Sequence, residues 1–253
     1  MRDPKGRFSS RVENYVRYRP GYPPAVLDLL RAECGLSPSS VVADVGSGTG
    51  LLSRLFLEHG NEVLGVEPNA EMREAAAHLL SAYPAYNGVD GSAEDTGLGE
   101  ASVDFVTAGQ AFHWFEPLGA RREFARILRP GAWVVLIWND RRNDASRFLS
   151  AYEDLLQRWA VDYREVDHRR VDQATLAVYF APGRFSERGL PNRQVFDYPA
   201  LEGRLLSSSY TPEAGHPNYA PMLAGLASLF REFQEGGTVA FEYHCRVVFG
   251  RLA

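Results

Sequence analysis

The feature that most constrains this chain is an apolar strand that runs directly into three alternately spaced glycines. Residues 41–45 read Val-Val-Ala-Asp-Val, and Gly46, Gly48 and Gly50 follow at every second position. Residues 51–59 then show the periodicity of an amphipathic helix. Glycine accepts the positive φ angles of a tight turn and lets a ligand lie against bare backbone, while the helix start offers unpaired N–H groups. The sequence therefore predicts the strand, turn and helix that open a nucleotide-binding α/β unit.

The spacing of these glycines separates two kinds of nucleotide site. Counted from Gly46, the dinucleotide fingerprint G-x-G-x-x-G would need its third glycine where Leu51 stands. The glycine is Gly50 instead, so the motif that begins at Asp44 reads D-x-G-x-G-x-G. This spacing disfavours a nicotinamide-linked oxidoreductase, which stays open as an alternative function.

A second strand with an acid at its end supports the nucleotide site. Residues 61–67 read Asn-Glu-Val-Leu-Gly-Val-Glu, and Glu67 closes the run. An acid at this place can accept hydrogen bonds from both hydroxyls of a ribose. The alternative is a solvated carboxylate at the end of a strand, but the neighbouring glycine turn favours the ribose role.

Composition limits the classes of protein that the chain can represent. Its 253 residues fit one large domain, and 45% hydrophobic residues are ordinary for a globular chain. The longest apolar run, residues 133–138, is far shorter than the ~20 residues of a membrane span, and the first residues lack an apolar leader. Two cysteines are too few for a disulfide framework or a four-cysteine metal site. We therefore expect a cytoplasmic protein that does not contact a membrane.

Charge argues against nucleic acid as a partner. The net charge is −5, so no overall basic field attracts phosphates. Arginine clusters, among them Arg141 and Arg142, lack interleaved aromatic residues. They are predicted to be solvated helix faces.

Strand and helix patterns alternate over residues 41–138, which predicts a doubly wound parallel arrangement. Together with two later strands, this gives an α/β fold with a Rossmann-like, seven-stranded mixed sheet and helical lid insertions. The predicted strands are 41–45, 61–67, 84–89, 102–108, 133–138, 193–198 and 238–249, and the main helices are 25–34, 51–59, 70–82 and 118–128. The predicted single domain, 1–253, comprises a cofactor-binding core at about 23–140, closing strands at about 193–199 and 238–250, and a substrate lid at about 141–192 and 200–237.

The polar candidates of this fold share one location. In doubly wound sheets the ligand binds at the carboxyl ends of the strands. Five polar segments follow such ends: 46–50, Glu67, 92–94, 110–114 and 139–140. Their convergence is a stronger signal than any single motif.

Taken together, these segments resemble the class I methyltransferases of the type 11 family, which use S-adenosylmethionine. The resemblance rests on motif I at 44–50, on Glu67, on Gly91-Ser92-Ala93-Glu94, on Ser102-Val103-Asp104-Phe105-Val106 and on Leu128-Arg129-Pro130-Gly131. Two further stretches, Tyr18-Arg19-Pro20-x-Tyr22-Pro23 and Gln110-Ala111-Phe112-His113-Trp114, resemble the branch that contains trans-aconitate methyltransferases. The resemblance covers residues 10–140 well and residues 141–240 only loosely.

The resemblance implies S-adenosylmethionine as cofactor, S-adenosylhomocysteine as product, and a role for each matched residue. Asp44 would orient the glycine loop or reach the methionine amine, Glu67 would take the ribose, and Ala93 would donate its N–H to adenine. Many relatives carry aspartate where this chain has Ser92, so Glu94 or water would make that adenine contact. Gln110 would lie beside the sulfonium. The implied cofactor-binding residues are Tyr18, Arg19, Asp44, Gly46, Ser47, Gly48, Gly50, Glu67, Pro68, Ser92, Ala93, Glu94, Gln110 and Ala111.

The N-terminal stretch allows two interpretations. Tyr15, Tyr18 and Arg19 would form a flap near the methionine carboxylate, a group that an arginine fork binds well. The alternative is an arm that only packs on the sheet.

Transfer of a methyl group from a sulfonium asks the protein mainly to position a nucleophile and to exclude water. His113 is the candidate general base, because histidine titrates near neutrality; the alternative is a packed or surface histidine. Candidate substrate residues are Tyr15, Trp114, Tyr210 and His216. We predict no metal, and a small-molecule acceptor that carries a carboxylate or a hydroxyl group.

Two further alternatives use the same cofactor. Enzymes that methylate amino groups of nucleic-acid bases resemble one another in an Asn/Asp-Pro-Pro-aromatic motif after strand four, whereas this chain has Gly-Gln-Ala-Phe at 109–112. A non-catalytic module that binds S-adenosylmethionine for regulation stays open. The expected oligomeric state is a monomer or a homodimer.

Overall fold

The computed structural model describes residues 17–163 and 171–252. The strands are β1 Val41–Val45, β2 Glu62–Val66, β3 Tyr86–Val89, β4 Val103–Gly109, β5 Leu128–Arg141, β6 Phe185–Phe196 and β7 Val239–Gly250. The helices are α1 Ala25–Cys34, α2 Leu51–His59, α3 Ala70–Leu79, α4 Pro117–Ile127, α5 Arg147–Trp159, α6 Gln173–Phe180, α7 Tyr198–Leu206 and α8 Tyr219–Phe233. A short 3₁₀ turn, Phe112–Trp114, follows β4.

The strands form one mixed sheet in the order β3-β2-β1-β4-β5-β7-β6. The strands from β3 to β5 are parallel, β7 is antiparallel to β5, and β6 is antiparallel to β7. The chain order turns back between β1 and β4, which is the place where a doubly wound sheet opens a crevice for a ligand. The predicted seven-stranded Rossmann-like sheet is confirmed.

Alternate residues of the central strands enter two separate cores, one on each face of the sheet. Val42 packs on one face with α1 and α2, through Leu30 and Phe56. Ala43 packs on the other face with α4 and α6, through Phe124 and Tyr179. Because both faces are covered, these strands are apolar almost throughout, as expected for a parallel sheet.

A third apolar cluster lies among α5, α7 and α8, three helices of the predicted substrate lid, which are called the lid below. The long strand β7 contributes Cys245, Val247 and Phe249 to a sheet core, but its first half carries Phe241 and Tyr243 into the lid. There the two aromatic side chains pack against α5, α7 and α8. Strand β6 also contributes Phe196 to this cluster, so β6 and β7 both connect the sheet to these helices by continuous backbone.

Local signals explain several of the observed boundaries. The Asn69 side chain accepts from the backbone N–H of Met72 and begins α3, because asparagine is a favourable residue at a helix N-cap. Helix α7 begins in the same way, since Asp197 accepts from the N–H of Ala200.

The structure corrects the predicted boundary between strand and lid. Strand β6 begins at Phe185 rather than at 193, so residues 185–192 belong to the sheet and not to the lid. Tyr198, predicted to end this strand, begins α7 instead. The early part of β6 is mostly polar and contains Pro191, which the edge position allows because one side of an edge strand needs no ladder hydrogen bonds.

Candidate active site

The glycine loop joins β1 to α2, and its three glycines meet different requirements. All three have positive φ angles, +68° at Gly46, +56° at Gly48 and +82° at Gly50. A Cβ at Gly46 would stand 2.6 Å from Cβ of Ala111, and a Cβ at Gly50 would stand 2.5 Å from the Leu80 side chain. At Gly48 no atom lies within 4 Å of that position. Two glycines therefore permit close packing of the protein on itself, and Gly48 leaves open space beside the loop.

Asp44 lies directly under this loop and is almost fully buried. Its Oδ2 accepts from the Ser53 hydroxyl at 2.7 Å, and its Oδ1 accepts from the Thr107 hydroxyl at 3.2 Å. Burial raises the pKa of Asp44 to about 7. The two hydrogen bonds oppose this shift, and the negative charge of Glu67 adds to it. A buried carboxylate without a cation is unfavourable, so this site suits a ligand that brings positive charge.

Glu67 supports the loop from the end of β2. One carboxylate oxygen accepts from the backbone N–H of Gly48 at 3.0 Å, and the other accepts from the N–H of Asn69 at 2.9 Å. A carboxylate offers about four acceptor positions, so these bonds are compatible with contacts to a ribose. The structure therefore brings the predicted ribose acid into direct contact with the glycine loop.

The segment predicted to contact adenine lies at the end of β3. Ser92 accepts from the backbone N–H groups of Glu94 and Asp95, and the Glu94 carboxylate accepts from the N–H of Glu116 at 2.8 Å. Ala93 is buried in a sheet core. These local contacts fix the shape of the segment.

The same segment is tied to α4 by a buried acid. Glu123 accepts from both the N–H and the hydroxyl of Thr96 and pairs with Arg126. Those hydrogen bonds lower the pKa of Glu123 to about 2. Its folded pKa is depressed, so its contribution to stability is present above its ordinary pKa and is lost as pH falls through about 2.

We expect Glu123→Gln to lower the free energy of unfolding at pH 7 by about 1–2 kcal/mol, because it weakens charge-assisted hydrogen bonds to Thr96 and Arg126. Denaturant unfolding at pH 7 and in acid checks this. The difference from wild type should shrink steadily as the pH approaches 2. A difference that stays constant over this range would contradict the assignment of the stabilising charge.

A cavity of about 150 Å³ opens beside the glycine loop at the carboxyl ends of β1, β4 and β5. Most of the lining residues come from three regions. These are Arg19, Pro20 and Tyr22 from the N-terminal stretch, Asp44, Gly46, Ser47, Thr49, Gln110, His113, Trp114 and Asn139 from the sheet edge, and Arg141, Asn143, Tyr163, Arg204, Ser209, Tyr210 and Tyr243 from the lid side. The cavity thus connects the cofactor motif with the lid.

The segment that follows β4 contributes Gln110, His113 and Trp114 to the cavity lining. Gln110 has a φ of +56°, and its amide donates to the backbone oxygen of Asn139 at 3.2 Å. Such a backbone conformation is unfavourable for a residue with a side chain and is found at functional sites. His113 is half-buried, with its ring centroid 4.9 Å from that of Trp114.

The lid side of the cavity is rich in arginine and tyrosine. Arg141 pairs with Glu153 at 2.5 Å, and the hydroxyl of Tyr163 donates to the same carboxylate at 2.7 Å. The expectation that Arg141 lies on a solvated helix face is wrong, because it belongs to β5 and its side chain is only 10% exposed. Arg204 of α7 is also buried.

Several predicted residues are not brought to the cavity. Tyr18 packs against Gly203 of α7, and His216 is exposed, where its Nδ1 accepts from the N–H of Asn218. Pro68, Ser92, Ala93 and Glu94 lie outside the cavity lining as well, and so do Gly48, Gly50, Glu67 and Ala111. Tyr15 falls outside the described residues. Arg19, Asp44, Gly46, Ser47, Gln110, His113, Trp114 and Tyr210 all line the cavity.

Sequence reasoning missed the arginines of the lid. A signal for Arg204 exists in the sequence, since it stands three residues after Leu201 and next to Leu205 on a helical face that is buried. Arg141 has no such signal, because it follows the apolar run of β5 and looks like the start of a solvated loop.

Comparison with known proteins agrees with the fold and the glycine loop. A sheet of this order with a glycine loop after β1 and an acid after β2 defines the class I methyltransferase fold. A methyltransferase domain family matches residues 43–136. An uncharacterized methyltransferase of Geobacillus kaustophilus is 30% identical over 156 residues, which cover 58% of this chain and 71% of the relative. The chain belongs to the S-adenosylmethionine-dependent methyltransferase family.

Other relatives match over a shorter share of their length. An uncharacterized methyltransferase of Mycobacterium bovis is 40% identical over 140 residues, 55% of each chain. The chain spans about half the length of this relative. Among solved structures, a protein of Anaeromyxobacter dehalogenans provisionally assigned as a type II methyltransferase has a TM-score of 0.66 at 24% identity, with 92% of this chain and 97% of that chain covered. This likeness shows the fold.

The residues at the site fit the cofactor that this family uses. The hydroxyl of Thr49 is buried, lines the cavity and has no hydrogen-bond partner among the described residues. Open space lies beside Gly48, and the buried Asp44 carboxyl has a raised pKa. An unsatisfied hydroxyl, a bare backbone and an uncompensated acid are each favourable places for a polar, cationic ligand.

No helix within residues 17–163 and 171–252 is long and apolar enough to cross a membrane. Within the same residues, no three His, Cys, Asp or Glu side chains gather where they could hold a metal ion.

Proposed function

We propose that this protein transfers a methyl group from S-adenosylmethionine to a small-molecule acceptor that carries a carboxylate or a hydroxyl group. The observation that carries the proposal is the shared cavity, which places the glycine loop and Asp44 next to Gln110 and His113 and opposite the lid. We also propose membership of the branch that resembles trans-aconitate methyltransferases. Its support is that Arg19, Pro20 and Tyr22, and the segment that contains Gln110, line that cavity.

The cofactor-binding roles follow from the geometry of the loop. Glu67, held by two backbone N–H groups, would accept from the ribose, and Asp44 would accept from the methionine ammonium. Arg19 would bind the methionine carboxylate from the N-terminal stretch. When bound, S-adenosylmethionine would supply an activated methyl group, which passes in line to the nucleophilic atom of the acceptor while S-adenosylhomocysteine leaves.

The protein's own contribution is then to orient the acceptor and to exclude water. Gln110 and Trp114 line the cavity between the loop and the lid, where they would position the acceptor. His113 would accept a proton where the acceptor is a hydroxyl group, because a neutral imidazole nitrogen can do so near neutral pH. A carboxylate acceptor is already ionised and needs no such base. The nicotinamide-linked and regulatory alternatives receive no support from the comparisons.

A calorimetric titration tests the cofactor half of the proposal. Wild type should bind S-adenosylmethionine and S-adenosylhomocysteine and should not bind NADH. Glu67→Ala should lower the affinity for both sulfur ligands by about tenfold to a hundredfold, because it removes the carboxylate that is proposed to accept hydrogen bonds from the ribose.

Glu62→Ala is the matched control, since Glu62 is an exposed acid at the opposite end of the same strand. Its affinity should equal that of wild type. If neither sulfur ligand binds wild type, the proposed function is wrong.

A further inference from the structure

The lid side of the cavity carries an excess of buried positive charge. Arg141 and Arg204 both line it, and Arg141 alone has a carboxylate partner, Glu153. Arg204 is 5% exposed, and no carboxylate among the described residues pairs with it. Its Nη1 donates to the hydroxyl of Ser208 at 3.0 Å, while its Nε has no partner in that part of the chain.

A buried guanidinium without a counter-ion is costly unless something compensates it. Hydroxyl groups supply only partial compensation, because they carry no charge. Arginine is suited to bind a carboxylate with its planar fork. The Arg204 side chain therefore needs an anion, and it faces the cavity in which the acceptor would bind.

One phenol near Arg204, that of Tyr210, responds to the same positive charges. Burial would raise the pKa of Tyr210, yet Arg141, Arg204 and Arg19 together hold that pKa below its ordinary value. At the other end of the cavity, burial and Glu67 raise the pKa of Asp44. The cavity thus has the acid Asp44 at the glycine loop and the arginines Arg141 and Arg204 at the lid side.

We propose that Arg204, together with Arg141 and Tyr210, binds a carboxylate of the methyl acceptor and so selects acceptors of the carboxylic acid class. This inference rests on the proposed function, which assigns the cavity to an acceptor. The group that Arg204 holds is a binding handle, and the methylated atom points away from it toward Gln110.

Counting charges favours a carboxylate over a phosphate. Arg141 and Glu153 cancel, and Arg19 is assigned to the methionine carboxylate of the cofactor. One positive charge, that of Arg204, is then left at the lid side of the cavity, which matches a single carboxylate group. A phosphate dianion carries both charges on one group and would need a second cation there, whereas the two charges of a dicarboxylate lie on separate groups.

The test measures anion binding directly. Succinate, its neutral diamide and inorganic phosphate are titrated into wild type at constant ionic strength, with and without S-adenosylhomocysteine. Succinate should bind, the diamide should not, and phosphate should bind more weakly. Bound succinate should also shift the earliest tyrosine ionisation, followed by ultraviolet absorbance, to higher pH, because it neutralises the arginines that face Tyr210. Tyr210→Phe should lack that early ionisation.

Arg204→Gln should weaken succinate binding by about tenfold or more, because a charge-assisted hydrogen bond is lost. Arg204→Lys should retain part of the affinity, since it keeps the charge without the fork. Arg231→Gln on α8 is the matched control, because that arginine is exposed, and it should bind like wild type. Removal of Arg204 leaves no acid unpaired, so the variant should melt at or above the wild-type temperature.

Three outcomes overturn the proposal. The first is that succinate fails to bind wild type, and the second is that phosphate binds more tightly than succinate. The third is that Arg204→Gln weakens the binding of S-adenosylhomocysteine but not that of methylthioadenosine, which lacks the carboxylate. That result would show that Arg204 holds the carboxylate of the cofactor. Failure of S-adenosylhomocysteine to bind wild type would instead refute the proposed function, and the titration without cofactor would still report on the anion site.

Discussion

The Asp44→Asn protein should bind S-adenosylmethionine about a hundredfold more weakly than wild type at pH 8. Asp44 is buried under the glycine loop, and its pKa is raised to about 7. At pH 8 it is ionised and would accept from the ammonium of the cofactor. Asparagine has nearly the same shape but no charge, so it removes this attraction and leaves the cavity intact. Calorimetry on the two proteins measures the difference.

The affinity of wild type should depend on pH in a way that the variant lacks. As pH falls below about 7, Asp44 takes up a proton and the attraction for the ammonium is lost, so the affinity should fall about tenfold for each further pH unit. Glu67 is the nearest acid that acts on Asp44, and it is present in both proteins. The affinity of Asp44→Asn should be flat over the same range.

Stability should change in the opposite direction to binding. The folded protein keeps the proton of Asp44 up to about pH 7, whereas an unfolded chain loses it near pH 4. The folded state therefore binds more protons between these values, and wild-type stability falls as pH rises through them. Asp44→Asn should be about 1–3 kcal/mol more stable than wild type at pH 8, with no advantage near pH 4.

Ser53→Ala is the control for local disturbance. It removes the hydroxyl that donates to Asp44 but keeps the carboxylate, so the pKa of Asp44 should rise further. Its cofactor affinity should therefore recover toward that of wild type as the pH is raised above about 8, whereas the affinity of Asp44→Asn should not recover. A variant Asp44→Asn that binds the cofactor normally would refute the role of this residue. A loss of binding together with a loss of stability would show that Asp44 serves the fold instead.

The fold of residues 41–138 could be predicted well from the sequence, because the signals for its strands and helices are local. A strand, a glycine turn and a helix are adjacent in the chain, so the boundaries of α2 were predictable to the residue. The location of Glu67 beside the glycine loop follows from its position directly after β2. The parallel sheet then brings these strand ends together without further information.

The lid could not be predicted to the same depth, because its contacts are distant in sequence. Arg141 and Glu153 meet across the boundary between sheet and lid, and Arg204 reaches the same cavity from a later helix. The local pattern around Arg141 does not indicate that this arginine is buried, since its burial depends on which helix packs over it; Arg204 has only the weak signal of its place beside Leu201 and Leu205. His216 is the opposite case: it was predicted to contact the substrate, but its side chain is exposed.

The largest effect on the fold should come from one added methyl group in the glycine loop. Gly46→Ala places Cβ 2.6 Å from Cβ of Ala111, and a backbone-fixed methyl group cannot rotate away. The residue would also have to adopt a φ of +68°. We expect a loss of about 2–4 kcal/mol in the free energy of unfolding, measured by denaturant titration.

Gly48→Ala is the matched change two residues away, and it should affect binding rather than folding. Its φ of +56° carries a strain of about 1 kcal/mol, but no atom lies within 4 Å of the added methyl group. The methyl group would occupy the open space beside the N–H that Glu67 holds, where the ribose is proposed to lie, so cofactor affinity should fall about tenfold or more. If Gly48→Ala destabilises the protein as much as Gly46→Ala, or binds the cofactor like wild type, then that space is not the cofactor site. If Gly48→Ala loses affinity and stays folded, the glycine loop divides into two positions that the fold requires and one that the ligand requires.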